Sequence, residues 1–485
     1  MAARSPLPRA TPESVGVASS AVGAFVHAAN ERGHALHSLM VIRHGTVVAE
    51  GWWHPYSSDQ QHMMFSVSKS VTATAIGLAQ AEGLLSVDDP VLSFFPSYAT
   101  PETTANVAQV RVRDLLTMTT GHAVDTMEIM RALPHEDWVR VFLGVPIEYP
   151  PGTHFLYNSG ASFVLAAIVT ARTGQSVRDY LTPRLFEPLG IPTPPWETNA
   201  RGINLGASGL RLTTEDLAKL GLLYLQHGRW NTLQLLPEVW VNCASSRHVA
   251  NGPDPEDDWN QGYGFQIWRS RHNSYRLDGR YGQFSVVLPE QDAVVAITAG
   301  ATESRAILPT LWETLLPGMH DTALPENKSA HLQLDDLLAA QQVPTPVYLP
   351  RPPPVASRLM GREIRLPFNT LHVASVRLDD DPDTVRITTT TSDGERETVT
   401  AGRESWQPGA TSLWPYEEMT LAVTASKGGW INENTLEVHH QCVETPFARL
   451  WRFRVDYSGQ VTVSVHLDNG FWVERQEVLA ELVVA

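Results

Sequence analysis

Ser66-Val67-Ser68-Lys69, preceded by Met63-Met64-Phe65, places a lysine one helical turn after a serine. The chain has only four lysines among its 36 basic residues. A desolvated lysine can lose its proton and act as a base, whereas arginine keeps its proton at any workable pH. Positions three apart face the same side of a helix, so the hydroxyl and the amine can meet. The spacing alone arises by chance about once in a chain of this length, so its surroundings must decide its meaning.

The residues after the serine favour a helix. Lys69 to Glu82 is rich in alanine, and Gly83 suits a left-handed cap at its end. The backbone N–H groups of Ser66 and the first turn would then donate to an oxyanion, and burial would lower the pKa of Lys69. A serine hydroxyl needs such a base to become a nucleophile. The alternative is Ser66 as an ordinary cap and Lys69 as a solvated lysine.

A turn-rich loop, 150–160, leads into a second apolar helix predicted from Ala161 to Arg172; its sequence is Pro-Pro-Gly-Thr-His-Phe-Leu-Tyr-Asn-Ser-Gly. Loops of this kind often hold functional side chains. Tyr157 in this loop, near an ammonium, would have a lowered pKa and could relay protons. The alternative is a packed aromatic residue, with Asn158 and Ser159 capping the helix.

Composition excludes several classes of function. The formal net charge of −16 argues against nucleic acid and anionic membrane surfaces as partners. Cys243 and Cys442 lie far apart and form neither a disulfide framework nor a metal motif, so we expect no metal and no other cofactor. The chain shows no secretory signal and no run of roughly 18 apolar residues, which predicts a cytoplasmic protein. Nothing in the sequence indicates an oligomeric state.

The texture of the chain changes along its length. Up to about residue 320, helical and strand-like segments alternate. The predicted elements are a hairpin at Leu39 to Glu50 that turns at Gly45, a helix capped by Thr213, and strands at Ser285 to Leu288 and Ala293 to Ala299. The proline-rich stretch 344–354 reads as a semi-rigid linker. Strand-like segments follow at Val385 to Thr391, Thr435 to His440, Leu450 to Val455 and Gln460 to His466. We therefore predict a catalytic domain at 1–325, a linker at 326–360, and a β domain at 361–485 that forms a sandwich or small barrel.

Several ordered motifs resemble the penicillin-recognising serine hydrolases, which include class C β-lactamases, DD-peptidases, family VIII carboxylesterases and 6-aminohexanoate-dimer hydrolases. Ser66-x-x-Lys69 is followed by the Leu-Leu-Thr-Met-Thr-Thr-Gly segment within 112–122, the Pro-Gly-Thr-x-Phe-x-Tyr loop, the helix start at 209–218, and Gly-Tyr-Gly-Phe at 262–265 with Trp268. The resemblance covers roughly residues 10 to 320. It implies an α/β (α+β) fold, with an antiparallel sheet flanked by helices.

The resemblance also implies roles. Ser66 would be the acylated nucleophile, Lys69 its base, and Tyr157 the group that assists proton transfer to the leaving group. Ser159 would hold the third place of the Tyr-x-Asn motif. The family's third motif falls near Leu277-Asp278-Gly279, and the N–H of Arg280 after Gly279 would be the second oxyanion donor.

The third motif lacks the cation that the family places where Leu277 stands, which disfavours a strong β-lactamase or peptidoglycan role. The sequence thus predicts a serine hydrolase that acts through an acyl-enzyme on a small ester or amide. Two alternatives stay open: a β-lactamase or D-amino-acid amidase, and a non-catalytic binding or scaffold protein that keeps the fold.

Overall fold

The computed structural model describes residues 6–100, 105–369, 372–412, 422–468 and 473–482. The chain divides into two compact units. The first comprises Met1–Gly51 and Gln61–Ala340, and the second comprises Trp52–Gln60 and Gln341–Ala485.

The helices of the described chain lie almost entirely in the first unit. They are α1 Ser19–Glu31, α2 Val67–Ala81, α3 Ala105–Gln109, α4 Val112–Leu116, α5 Met127–Arg131, α6 Trp138–Gly144, α7 Ser159–Thr173, α8 Val177–Leu181, α9 Thr214–Leu225, α10 Glu238–Ser245, α11 Ile307–Thr314, α12 Lys328–Ala339 and, in the second unit, α13 Ala356–Leu359.

The first unit is built on a six-stranded antiparallel sheet with two short two-stranded sheets beside it. Its strands are β1 Leu36–Arg43, β2 Thr46–Trp52, β3 His62–Met63, β4 Arg211–Leu212, β5 Arg229–Trp230, β6 Leu233–Gln234, β7 Trp268–Arg269, β8 Tyr275–Gly279, β9 Gln283–Leu288 and β10 Ala293–Ala299. The six-stranded sheet has the order β2-β1-β10-β9-β8-β7, while β3 pairs with β4 and β5 with β6.

The central strands of this sheet are buried on both faces. Every residue of β1, β9 and β10 is buried. Helix α9 packs against β9 and β10, and α1 packs against α11 and α12. The predicted hairpin is present, with His44 and Gly45 in left-handed conformations at its turn, as a two-residue hairpin requires. The predicted antiparallel sheet flanked by helices is thus confirmed.

Helix α2 carries the serine–lysine pair through the middle of the helical layer. Every residue from Val67 to Ala79 is buried. The small side chains let neighbours approach closely: a Cβ on Gly77 would lie 2.4 Å from the ring of Trp240. The helix packs against α7, α8 and β8. It ends as predicted, with Gly83 left-handed at φ 71°.

The second unit is one curled sheet and not two stacked sheets. Its strands are β11 Glu363–Arg365, β12 Val373–Asp380, β13 Thr384–Thr391, β14 Arg396–Gly402, β15 Gln407–Thr411, β16 Ala422–Asn432, β17 Thr435–Cys442, β18 Ala448–Val455, β19 Val461–Asp468 and β20 Val473–Leu482. Their order is β14-β13-β12-β11-β20-β19-β18-β17-β16-β15, and β14 also pairs with β16, which brings the edges together. The predicted all-β region is confirmed in this barrel-like form, around a core that contains Trp430 and Phe453.

A segment from early in the chain completes the second unit. Residues 52–60 run from the last residue of β2 towards β3 in sequence but belong to this unit. Tyr56 packs with Trp406 and Val443, and its hydroxyl donates to the carbonyl of Thr445 at 2.9 Å. Sequence patterns gave no indication of this insertion, because its partners in the second unit lie more than 280 positions away.

The range predicted as a linker, 326–360, contains packed structure on both sides of the division at Ala340. Before the division, α12 buries Leu334 and Leu338. After it, the backbone N–H of Leu349 donates to the carbonyl of Trp430 at 2.6 Å, and Leu359 is fully buried. Apolar residues spaced through the proline-rich sequence anchor it to the β unit, an effect that composition alone does not reveal.

Among the described residues, no helix is both long enough and apolar enough to cross a membrane.

Candidate active site

Ser66 lies at the N-terminus of α2, where the chain is strained. It is the N-cap residue, with φ −72° and ψ −6°. The preceding residue, Phe65, has a left-handed backbone with φ 46°, an uncommon state for a residue with a large side chain. Ser66 is partly exposed while its immediate neighbours are buried. Its backbone N–H donates no hydrogen bond within the described chain, so it is available to a ligand.

Lys69 is buried directly beneath the serine. The residue is 2% exposed, and its Nζ donates to Ser66 Oγ at 3.0 Å and to the carbonyl of Ala207 at 3.1 Å. Burial lowers the pKa of Lys69 to about 7, because a charged ammonium loses its hydration there. The predicted lowering of this pKa is therefore present, and burial is its main cause. Near neutral pH, a substantial fraction of the amine carries a free lone pair next to the hydroxyl.

Three neighbouring charges modulate the lysine. The carboxylates of Asp125 and Asp278 raise its pKa, while the guanidinium of Arg131 lowers it. These effects are smaller than the effect of burial. They also show that both carboxylates lie close enough to the amine to act on it.

Tyr157 completes the group around the serine. Its ring centroid is 4.8 Å from Lys69 Nζ. Burial raises the pKa of Tyr157, and its hydrogen bonds with Ser66 and Trp268 only partly oppose that rise. The predicted lowering of this pKa is wrong, because desolvation of a phenolate outweighs the attraction of a nearby amine. The tyrosine is thus a neutral phenol at neutral pH, which can donate a proton.

Aromatic side chains form one wall of the site. The ring centroid of Trp268 lies 5.4 Å from that of Tyr157 and 5.0 Å from that of Tyr263. Phe155 packs against Tyr263 at 5.3 Å. This cluster fixes the tyrosine ring and gives the site an apolar surface suited to an uncharged portion of a substrate.

Strand β8 brings the predicted third motif against the serine. A Cβ on Gly279 would lie 2.3 Å from the carbonyl oxygen of Met64, so only glycine allows this approach. Arg280 follows at the turn, and the next residue, Tyr281, is left-handed with φ 68° and packs edge-on against Phe65. The segment with the predicted second oxyanion donor therefore borders the segment that carries Ser66.

The second motif has a mainly structural role in its last two residues. Asn158 caps α7, and its Oδ1 accepts hydrogen bonds from the N–H of Gly160 at 3.0 Å and from Thr126. The backbone N–H of Ser159 donates to Asp125 Oδ1 at 2.8 Å. The hydroxyl of Ser159 makes no hydrogen bond with described residues, so its supporting role stays a prediction.

Sequence reasoning missed three contributors to the site. The carbonyl of Ala207 holds the amine of Lys69, but a backbone acceptor leaves no mark on residue type. Asp125 acts on the lysine from a loop that no motif marked. Arg276 in β8 was overlooked, although an arginine two positions before an aspartate in a predicted motif was a visible signal. Its side chain is 0% exposed and bonds Asp278 at 2.7 Å.

Among the residues that the structure describes, no group of three or more His, Cys, Asp or Glu side chains is placed to hold a metal ion.

Comparisons with known proteins indicate the family to which the chain is similar. The sequence model of the family described as Beta-lactamase matches residues 22–316. Penicillin-binding protein 4 of Amycolatopsis lactamdurans is 26% identical over 341 residues, which are 60% of this chain and 84% of that protein. The 6-aminohexanoate-dimer hydrolase of Paenarthrobacter ureafaciens is 24% identical over 291 residues, 53% of this chain and 71% of the other.

A solved structure shows the same fold. A Bacillus anthracis protein, described as a candidate 6-aminohexanoate-dimer hydrolase, superposes with a TM-score of 0.54 at 18% identity; the match covers 67% of this chain and 89% of that one.

Proposed function

This chain belongs to the beta-lactamase family, and we propose that it is a serine hydrolase that cleaves a small ester or amide through an acyl-enzyme on Ser66. The observation that carries the proposal is the 3.0 Å contact between Ser66 Oγ and the buried amine of Lys69. A hydroxyl and a largely desolvated amine at this distance form a nucleophile and its base.

In the first step the neutral amine of Lys69 takes the proton of Ser66, and Oγ attacks the substrate carbonyl carbon. The pKa of about 7 leaves about half of the lysines neutral at pH 7, so the base is available without a further activator. The new Oγ–carbon bond gives a tetrahedral intermediate with a negative oxygen. The N–H of Ser66, at the positive end of α2, would donate to that oxygen, together with the N–H of Arg280.

Collapse of the intermediate breaks the bond to the leaving group. Tyr157 is protonated, so its phenol can donate to the departing oxygen or nitrogen while it receives the proton held by Lys69. A water molecule then attacks the acyl-enzyme and gives one proton to the regenerated amine of Lys69. As the Oγ–carbon bond breaks and the acid leaves, Lys69 returns that proton to Ser66 Oγ, which restores the free enzyme. General acid–base assistance of this kind contributes roughly 10²–10⁴-fold.

The test is hydrolysis of 4-nitrophenyl butyrate together with labelling by a fluorophosphonate. We expect the parent to hydrolyse the ester and to gain one adduct on Ser66. Ser66→Ala should lose both. Ser68→Ala is the matched control for labelling, since Ser68 is a second serine two residues away whose buried Oγ accepts from the N–H of Leu210 at 3.2 Å.

The Ser68→Ala protein should still be labelled on Ser66. Hydrolysis by Ser66→Ala at the parental rate would show that the nucleophile is wrongly assigned. A parent that neither gains the fluorophosphonate adduct nor hydrolyses the ester would favour a non-catalytic binding protein.

A further inference from the structure

Asp278 occupies an unusual place beside the proposed nucleophile. It is the penultimate residue of β8, and a Cβ on its neighbour Gly279 would lie 2.3 Å from the carbonyl oxygen of Met64, two positions before Ser66. The pKa values of Lys69 and Tyr157 both respond to its charge. The carboxylate therefore belongs to the immediate surroundings of the reacting groups, although the proposed acyl transfer gives it no task.

A buried arginine holds this carboxylate in place. Arg276 Nε donates to Asp278 Oδ2 at 2.7 Å. The Arg276 side chain is 0% exposed, and its guanidinium lies over the rings of Trp259 at 4.2 Å and Trp268 at 5.6 Å. Its Nη1 donates to the carbonyl of Asp258 at 3.0 Å. The cation is thus enclosed by protein and cannot itself meet a substrate.

The other half of the ion pair remains accessible. The Asp278 side chain is 12% exposed, and its Oδ1 accepts no hydrogen bond from the part of the chain that the structure describes. Burial raises the pKa of this carboxyl, and the charges of Arg276, Arg305 and Lys69 oppose the rise. The pair therefore presents one free carboxylate oxygen to the site, with its counter-charge behind it.

We propose that Asp278 determines substrate charge, selecting esters or amides that carry an ammonium or another cationic N–H donor and disfavouring those that carry a carboxylate. This inference rests on the proposed acyl-transfer function. A charge-assisted hydrogen bond to Oδ1 would satisfy the open acceptor, while a carboxylate at the same place would meet a like charge.

Arg280 provides the opposing hypothesis. It is exposed, lies two positions beyond Asp278, and its guanidinium rests over the ring of Tyr281 at 5.2 Å. If Arg280 governed selection, anionic substrates would be preferred. The order in which matched cationic, neutral and anionic substrates react therefore distinguishes selection by Asp278 from selection by Arg280.

The experiment uses two series of esters with the same three para substituents: aminomethyl, ethyl and carboxymethyl. One series places them on the leaving phenol of phenyl acetates, and the other places them on the acyl group of 4-nitrophenyl phenylacetates. We expect kcat/KM for the aminomethyl ester to exceed that for the ethyl ester by about tenfold in at least one series, with the carboxymethyl ester lowest. The preference should weaken as ionic strength rises. Equal rates, or a carboxymethyl ester that reacts fastest, would overturn the inference.

Variants test the residue itself through the ratio of rates. In Asp278→Asn the aminomethyl-to-ethyl ratio should fall to near one, whatever happens to the absolute rates. Asp336→Asn removes the same charge from an exposed position on α12 and should keep the parental ratio. Because Asp278→Asn leaves Arg276 buried without its counter-ion, the double variant Arg276→Gln with Asp278→Asn is measured as well. A parental ratio in either folded variant contradicts the assignment.

A binding measurement separates this inference from the proposed function. The three corresponding 4-substituted phenylacetamides are titrated calorimetrically into Ser66→Ala, which lacks the nucleophile. Tightest binding of the aminomethyl amide, with no ester turned over by the parent, would refute the hydrolase alone. Ester hydrolysis by the parent without any preference in binding or rate would refute charge selection alone.

Discussion

The charges around Lys69 give the sharpest prediction about catalysis. If its neutral amine is the base, kcat/KM must rise with pH as the ammonium loses its proton, with a midpoint near 7. The perturbation is Asp125→Asn, which removes a negative charge that raises the pKa of Lys69. The substitution keeps the shape of the side chain, and its Oδ1 can still accept from the N–H of Ser159.

The size of the effect follows from burial and exposure. Burial moves the pKa of Lys69 from 10.5 to about 7. A lysine that kept the ordinary pKa would be neutral in only roughly one molecule in 3,000 at pH 7. Because Asp125 is partly exposed, its removal should move the midpoint toward acid by about 0.5 unit, less than the roughly 1–3 units of a charge in direct contact. Arg131→Gln should move it the other way, because Arg131 lowers the same pKa.

The assay is the pH dependence of kcat/KM for 4-nitrophenyl butyrate, measured for the parent and both variants at one ionic strength. Opposite displacements of the rising limb are expected. If both variants shifted the midpoint of the rising limb in the same direction, or if neither shifted it, a group other than Lys69 would control the reaction.

Three other substitutions test parts of the structure. Tyr157→Phe keeps the ring against Trp268 and removes the proton donor, so kcat should fall by about 10²–10⁴-fold without a change in the circular dichroism spectrum. Gly279→Ala forces a Cβ to 2.3 Å from the carbonyl of Met64, so the variant should lose about 1–3 kcal/mol of stability in thermal unfolding and most of its activity. The control Gly144→Ala has open space around its Cβ and should resemble the parent. Equal stability of the two variants would argue against the close approach of β8 to Met64. Trp430 is 0% exposed in the core of the curled sheet, so Trp430→Ala leaves a cavity there. The amides of β16 and β17 should lose about 3–5 kcal/mol of protection from hydrogen exchange. Unchanged protection would show that Trp430 does not stabilise this core.

Local patterns predicted the elements well where the cause was local. The helix after Ser66 needs only alanines and Gly83, and the hairpin needs only a run of apolar residues on each side of Gly45. The strand-like composition after residue 361 predicted a C-terminal all-β region. The choice between sandwich and barrel depended on the pairing of β14 with β16, at Gly402 and Lys427. No local sequence pattern indicates which strands pair when they lie that far apart in the sequence.

The candidate site shows the same limit in its chemistry. Residue types and the family resemblance nominated Ser66, Lys69 and Tyr157, and the structure brings these three together. The direction of the Tyr157 pKa was wrong because it depends on how completely the phenol is buried, which a sequence does not state. The Ala207 carbonyl and the unsatisfied oxygen of Asp278 likewise depend on three-dimensional placement.

The central claim is an acyl-enzyme on Ser66, and trapping that intermediate tests it most directly. The enzyme is mixed with 4-nitrophenyl butyrate, quenched with acid during turnover, and analysed by mass spectrometry of its peptides. A butyryl group on Ser66, absent from Ser66→Ala and retained in Ser68→Ala, is the predicted result. Continued release of 4-nitrophenol with no acyl group on Ser66, or with the group on Ser68, would contradict the account.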